Sequence, residues 1–110
     1  MTTEQTIRKF IAENSIILFM KGTPEAPQCG FSARAVAALR GIDLDFAYVD
    51  VLNSPRIREM LPRISQFPTF PQLYVRGELI GGSDIVEEMA KSGELICLAK
   101  GKAAPTAEAS

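Results

Sequence analysis

The chain has 110 residues, enough for one domain of the common size of about 100–150. Hydrophobic residues make up 46% and charged residues 23%, which suits a soluble globular core without staples. Twelve basic and thirteen acidic side chains leave a net charge of −1, so neither a broad nucleic-acid footprint nor a polybasic membrane patch is expected. The longest strongly apolar run, Ile16 to Met20, is far shorter than the roughly 20 residues that span a bilayer. The N-terminus lacks the apolar stretch of a secretory signal and carries an early Glu4. Cys29 and Cys97 do not make a disulfide framework, and a reducing, cytoplasmic setting is the default expectation.

Thr2 or Thr3 can cap a first helix, with Gln5 placed to complete a capping box. Ile7, Phe10 and Ile11 fall on one face of it, and Asn14 closes it. "SIILFMK" reads as a short buried strand and "GTPEAPQ" as a Gly/Pro loop. "CGFSARAVAALRG" reads as a helix stopped by Gly41, and "DFAYVDV" as a second strand. Ser54 caps a third helix with Pro55 at its first position, and Pro62 should kink or split it. "PQLYVRGELIGG" looks like a hairpin turning near "RGE". A fourth helix starts after Ser83 or Asp84 and runs to Gly93, followed by a short turn, "ELICLAK". Residues 1–100 read as one domain, and the small polar residues of 101–110 as a flexible tail.

Two strands separated by a helix should be parallel, while the hairpin is antiparallel. The sum is an α/β fold, a mixed four-stranded sheet with helices on both faces. This order suits several small α/β folds.

Cys29 lies where a Gly/Pro loop enters a helix. Unpaired N–H groups and the positive end of the helix dipole favour a thiolate there, and Lys21 adds positive charge if the loop folds back. The alternative is a small buried hydrophobe. The sequence contains no histidine, so a Cys–His dyad and the usual histidine metal ligands are both absent. In "FPTFPQLYV", a cis Phe70–Pro71 bond would expose the backbone N–H and C=O of Phe70 to an extended peptide, whereas an ordinary loop proline would do nothing of the kind. In "GGSDIVEEM", the glycines let backbone approach a ligand, and the helix opened by Ser83 and Asp84 suits a carboxylate; plain capping by either side chain is the simpler role. Arg58 could clamp another carboxylate, although most exposed helical arginines are only solvated. Together these describe a groove for a small thiol tripeptide with two carboxylates and an ammonium group, the constitution of glutathione.

The combination of "MKGTPEAPQCGFS", "FPTFPQLYV" and "GELIGGSDIVEEM" closely resembles the monothiol glutaredoxins of the CGFS type, over roughly Thr3 to Lys100. The resemblance implies a thioredoxin-like fold with the active thiol, Cys29, at a helix start. It implies glutathione contacts from Lys21, Cys29, Gly30, Phe31, Arg58, Thr69, Phe70 beside a cis Pro71, Gly82, Ser83 and Asp84. It further implies a 2Fe-2S cluster shared between two subunits with Cys29 as metal ligand, and work with BolA-type proteins and apo iron–sulfur proteins in cluster assembly and iron homeostasis. Two departures stand out: Phe67 replaces the usual tryptophan, and Ser83 replaces a cysteine often found after the double glycine. Cys97 lies outside the implied contacts and reads as structural.

Four thiolates normally hold such a cluster. Two copies of Cys29 and two glutathione molecules make four, so a homodimer closes the count. The rival is a glutathione-dependent thiol–disulfide oxidoreductase, in which free glutathione regenerates Cys29 and Ser32 only removes the local Cys-x-x-Cys route.

Overall fold

Side chains alternate across a strand, so a strand buried at every position needs cover on both faces. Ile16–Met20 is such a strand, with all five residues buried. In the computed structural model, which describes residues 1–101, it forms β1 (Ile16–Met20) of a four-stranded sheet. The order is β2-β1-β3-β4, with β2 at Ala47–Asp50, β3 at Gln72–Val75 and β4 at Glu78–Gly81. β1 runs parallel to β2, with Ile17 opposite Ala47 and Met20 opposite Asp50. It runs antiparallel to β3, with Leu18 opposite Leu73. β3 and β4 form the expected hairpin, turned by Arg76 and Gly77 at φ of 50° and 86°. Two successive positive φ values match the primed turns whose twist suits a hairpin. The mixed sheet expected from element order is therefore present.

Helices cover both faces. Ile16, Leu18, Met20, Leu73 and Val75 pack against α2 (Gly30–Gly41), α4 (Ser83–Ser92) and α5 (Glu94–Ala99), through Ala35, Val36, Leu39, Val86 and Leu95. Ile17, Phe19 and Tyr74 face α1 (Thr3–Glu13) and α3 (Pro55–Ser65), meeting Ile7, Ile57 and Leu61. On that side the Phe19 and Tyr74 rings meet edge to face, with centroids 5.7 Å apart.

Most helix ends follow the sequence signals, and some do not. Thr2 and Gln5 form the expected capping box, with bonds of 3.1 and 2.9 Å. Ser54 occupies the cap position of α3, but its side chain makes no cap bond. Pro62 does not split α3, which runs through it to Ser65. Only the last turn lies beyond the proline, so the disruption has little helix left to act on. Gly41 ends α2 without adopting the left-handed conformation; Asp43 adopts it instead, at φ 54°. "ELICLAK" is a helix over Glu94–Ala99 rather than a simple turn, because Leu95 is drawn fully into the core. Of the expected tail, residues 102–110 lie outside the described residues.

The two-faced burial of β1 yields a clear expectation. Leu18→Ala should cost about 2–5 kcal/mol of unfolding free energy in urea denaturation, whereas Leu52→Ala, at a residue 40% exposed, should stay within about 0.5 kcal/mol.

Candidate functional site

The site sits beyond the C-terminal ends of the parallel strands, where chain segments leaving the sheet converge. After β1 the chain passes Lys21 into a tight loop. Gly22 has φ +92°, and a Cβ there would lie 2.6 Å from both the Ala26 carbonyl oxygen and the Gln28 nitrogen. The loop closes through Ala26 N–H to Thr23 C=O at 3.0 Å and Gln28 N–H to Lys21 C=O at 2.9 Å. Its base is tied to the next crossover by Asp50. One oxygen, Oδ1, accepts from Gly22 N–H and Leu52 N–H, both at 2.9 Å, and Oδ2 accepts from the Asn53 amide at 3.2 Å. Lys21 is thereby held at one end of the crossover that leads to Arg58 on α3.

Cys29 is the N-cap residue of α2, as its sequence position implied. Its side chain makes no capping hydrogen bond in this rotamer. Burial pushes the thiol pKa up, but the N–H groups of Ser32 and Phe31, the Ser32 hydroxyl and the Lys21 charge outweigh it and hold the thiol below its ordinary value. Ser32 is fully buried, and its Oγ also accepts from Lys21 N–H at 3.1 Å. The serine at the motif's fourth position thus pins the cation-bearing loop to the helix start and supports the thiolate.

The facing wall is the segment before β3. The Phe70–Pro71 peptide is cis, as expected, and Phe70 and Pro71 are buried. Among the described residues no hydrogen bond occupies the Phe70 N–H or C=O. The end wall is the start of α4. Gly82, not Ser83 or Asp84, takes its N-cap position, and no side chain caps the helix. The first intrahelical bond runs from Val86 N–H to Gly82 C=O at 3.0 Å, which leaves the N–H groups of Ser83 and Asp84 ahead of the helical ladder. The expected side-chain cap therefore gives way to an uncapped helix start. Gly82 also approaches Phe67 closely, since a Cβ there would lie 3.4 Å from the Phe67 ring.

These walls enclose an open cleft of about 750 Å³. Lys21, Cys29, Phe31, Arg58, Thr69, Phe70, Pro71, Gly82, Ser83 and Asp84 all line it. Gly30 does not: it is the first residue of α2, and a Cβ there would meet nothing within 4 Å. Among the described residues neither Lys21 nor Arg58 is ion-paired. Cys97, on α5, is absent from the cleft lining.

The Glutaredoxin family profile matches residues 16–80. A probable monothiol glutaredoxin, GrlA, of Legionella pneumophila is 65% identical over 79 residues, covering 72% of this chain and 89% of that protein. Glutaredoxin 4 of Escherichia coli K12 is 56% identical over 103 residues, covering 94% and 90%. The chain belongs to the glutaredoxin family. Its lone site cysteine and Cys-Gly-Phe-Ser motif place it with the monothiol members. The reduced poplar apo GrxS14 structure superposes with TM-score 0.71 at 44% identity over 84% of each chain. A buckwheat glutaredoxin solved as a complex with glutathione shares the fold, with TM-score 0.78 at 20% identity over 93% of each chain.

Several residues of this glutaredoxin's site carry no clear sign in the sequence. Pro62, Pro68 and Ile85 also line the cleft, while Ser32, Asp50 and Gln72 support it from behind. Helical spacing offers a signal for Pro62, which sits one turn beyond Arg58 on α3. Asp50 acts through backbone that the tertiary fold brings near, at Gly22, and Gln72 through nearby carbonyls that the loop geometry turns toward it.

Two measurements follow from this geometry. The midpoint of Cys29 alkylation against pH should lie below that of the same thiol in the urea-unfolded chain, and Ser32→Ala should move it upward. Because the folded-state pKa is depressed, the thiolate's contribution to stability is complete above the free-thiol pKa and is lost as pH falls through the lowered value. Gly22→Ala should destabilise the fold by more than about 1 kcal/mol in thermal melts, since the positive φ and the 2.6 Å contacts both oppose a side chain.

Proposed function

We propose that this protein binds glutathione in the cleft and, as a pair of subunits, carries a glutathione-ligated 2Fe-2S cluster for delivery to apo iron–sulfur proteins. The observation that carries the reading is the setting of Cys29: one thiol of lowered pKa in a cleft that also holds two cations and a backbone edge, all without partners among the described residues, and an uncapped helix start. These features complement a tripeptide. Lys21 and Arg58 suit one carboxylate, the N–H groups opening α4 suit the other, and Asp84 suits the ammonium group. The Phe70 backbone can pair with the ligand's own main chain. A buckwheat glutaredoxin of the same fold was solved as a complex with glutathione.

The cluster is cargo here, and the donor set is compatible with it. Among the described residues no three His, Cys, Asp or Glu side chains gather as a metal site, so one subunit supplies a single sulfur from Cys29. A second copy and two glutathione thiolates bring the count to four. The lowered pKa favours the deprotonated sulfur that ligation needs. Phe31, 56% exposed beside the thiol, offers apolar surface for a second subunit or a BolA-type partner. The compartment proposed for this work in iron homeostasis is the cytoplasm.

The same thiolate favours a second reading, glutathione-dependent disulfide exchange. Cys29 sulfur would attack the glutathione sulfur of a mixed disulfide, expelling the target thiolate. A free glutathione thiolate would then attack the new Cys29–glutathione disulfide, releasing glutathione disulfide and restoring the Cys29 thiolate. Anaerobic reconstitution with iron, sulfide and glutathione separates the readings. Visible absorbance of a 2Fe-2S centre eluting at dimer size is expected, and Cys29→Ser should abolish it. A colourless monomer with brisk disulfide reduction would reverse the ranking.

A further inference from the structure

We propose that Gln72 is a positioning residue that sets the orientation of the Thr69–Phe70 peptide and so presents the Phe70 N–H to the ligand. This rests on the cleft being a glutathione site. Gln72 opens β3 and is fully buried, an uncommon place for a side-chain amide. Its Nε2 donates to the Phe67 carbonyl at 2.8 Å and to the Thr69 carbonyl at 3.2 Å. Its Oε1 accepts from the Tyr74 hydroxyl at 3.1 Å. Carbonyl oxygens only accept, so the NH₂ end must face the loop and the oxygen must face Tyr74. Burial pushes the Tyr74 pKa up, despite a lowering contact with Ser65, and so keeps the hydroxyl protonated as a donor. Phe67 N–H is held separately by Ser65 Oγ at 3.2 Å.

The consequence follows from peptide geometry. The Thr69 C=O and the Phe70 N–H belong to one planar unit, and in a trans peptide they point in opposite directions. The cis bond lies one residue later, between Phe70 and Pro71. When Gln72 draws the Thr69 oxygen inward, the Phe70 N–H is turned to the opposite side. There it has no partner among the described residues, and Phe70 lines the cleft. Gln72 thus acts on the ligand through a peptide bond and touches no ligand itself. Without its NH₂ group, the Thr69 carbonyl loses its side-chain donor, the Phe67 carbonyl keeps only Ser65 Oγ at 3.4 Å, and the Thr69–Phe70 unit is free to rotate.

The decisive variant is Gln72→Met, which keeps chain length and removes the amide. Glutathione affinity by titration calorimetry should fall about tenfold, the scale of one hydrogen bond to the ligand left unmade. The Cys29 thiol pKa should stay at the wild-type value, because the loop at Gln72 does not contribute to it. Residual dipolar couplings of the Phe70 N–H in ligand-free protein should report a changed or averaged vector. Tyr74→Phe keeps the ring against Phe19 and removes only the hydroxyl that orients the amide. It should give a smaller loss in the same direction, non-additive with Gln72→Met. Wild-type affinity together with an unchanged Phe70 coupling in either folded variant overturns the proposal. If Gln72→Met fails to fold, Tyr74→Phe decides alone. If wild-type protein binds no glutathione, the proposed ligand is wrong, while the Phe70 coupling still decides whether Gln72 controls that peptide.

Discussion

Ile16–Met20 is buried on both faces and paired along both edges, parallel to β2 and antiparallel to β3. A strand so placed cannot shift register by one residue without exchanging the side chains of two cores. Its C-terminal end is therefore a fixed point, and the chain leaving it at Lys21 has little freedom in where it begins. Cys29 returns to that same point because α2 must cross over to feed the parallel strand β2. The chemistry of the thiol is thus a consequence of where the least movable strand stops.

At that point opposing effects act on one sulfur. Partial burial disfavours charge, while backbone donors at the helix start, the Ser32 hydroxyl and Lys21 favour it, and the second group wins. The balance depends on short-range groups belonging to one turn of helix and one residue of loop. Ser32 belongs to both sides of this arrangement, since its oxygen also accepts from the backbone of Lys21. A motif serine that seems to mark only a missing cysteine has a structural task of its own.

Much of this was legible in the residues. The capping box at Thr2, the hairpin around Arg76 and Gly77, and the helix start at Cys29 each depend on neighbours in sequence, where local chemistry decides the outcome. The cleft lining was largely legible too, because three motifs bring their side chains to one end of the sheet. Reading failed where a competing environment decided. Ser83 and Asp84 are good capping residues, yet the chain enters α4 through Gly82, and the side chains are left beside the cleft. Gly41 does end α2, although Asp43 and not the glycine takes the left-handed conformation. The supports behind the cleft, Asp50 and Gln72, could not be read because their partners are backbone groups remote in sequence or set by loop geometry.

Asp50 has an effect beyond holding two loops together. A single carboxylate oxygen gathers the N–H groups of Gly22 and Leu52, fixing the stretch after Lys21 and the stretch before α3 before anything enters the cleft. Association always opposes the loss of conformational freedom in the groups it orders. Here the backbone beneath one cation is already ordered by folding, so on the protein's side mainly the side-chain torsions of Lys21 and Arg58 would be restricted by the proposed anion. The affinity proposed for a small, flexible anion would therefore depend in part on entropy already lost 28 residues away in sequence, between Gly22 and Asp50.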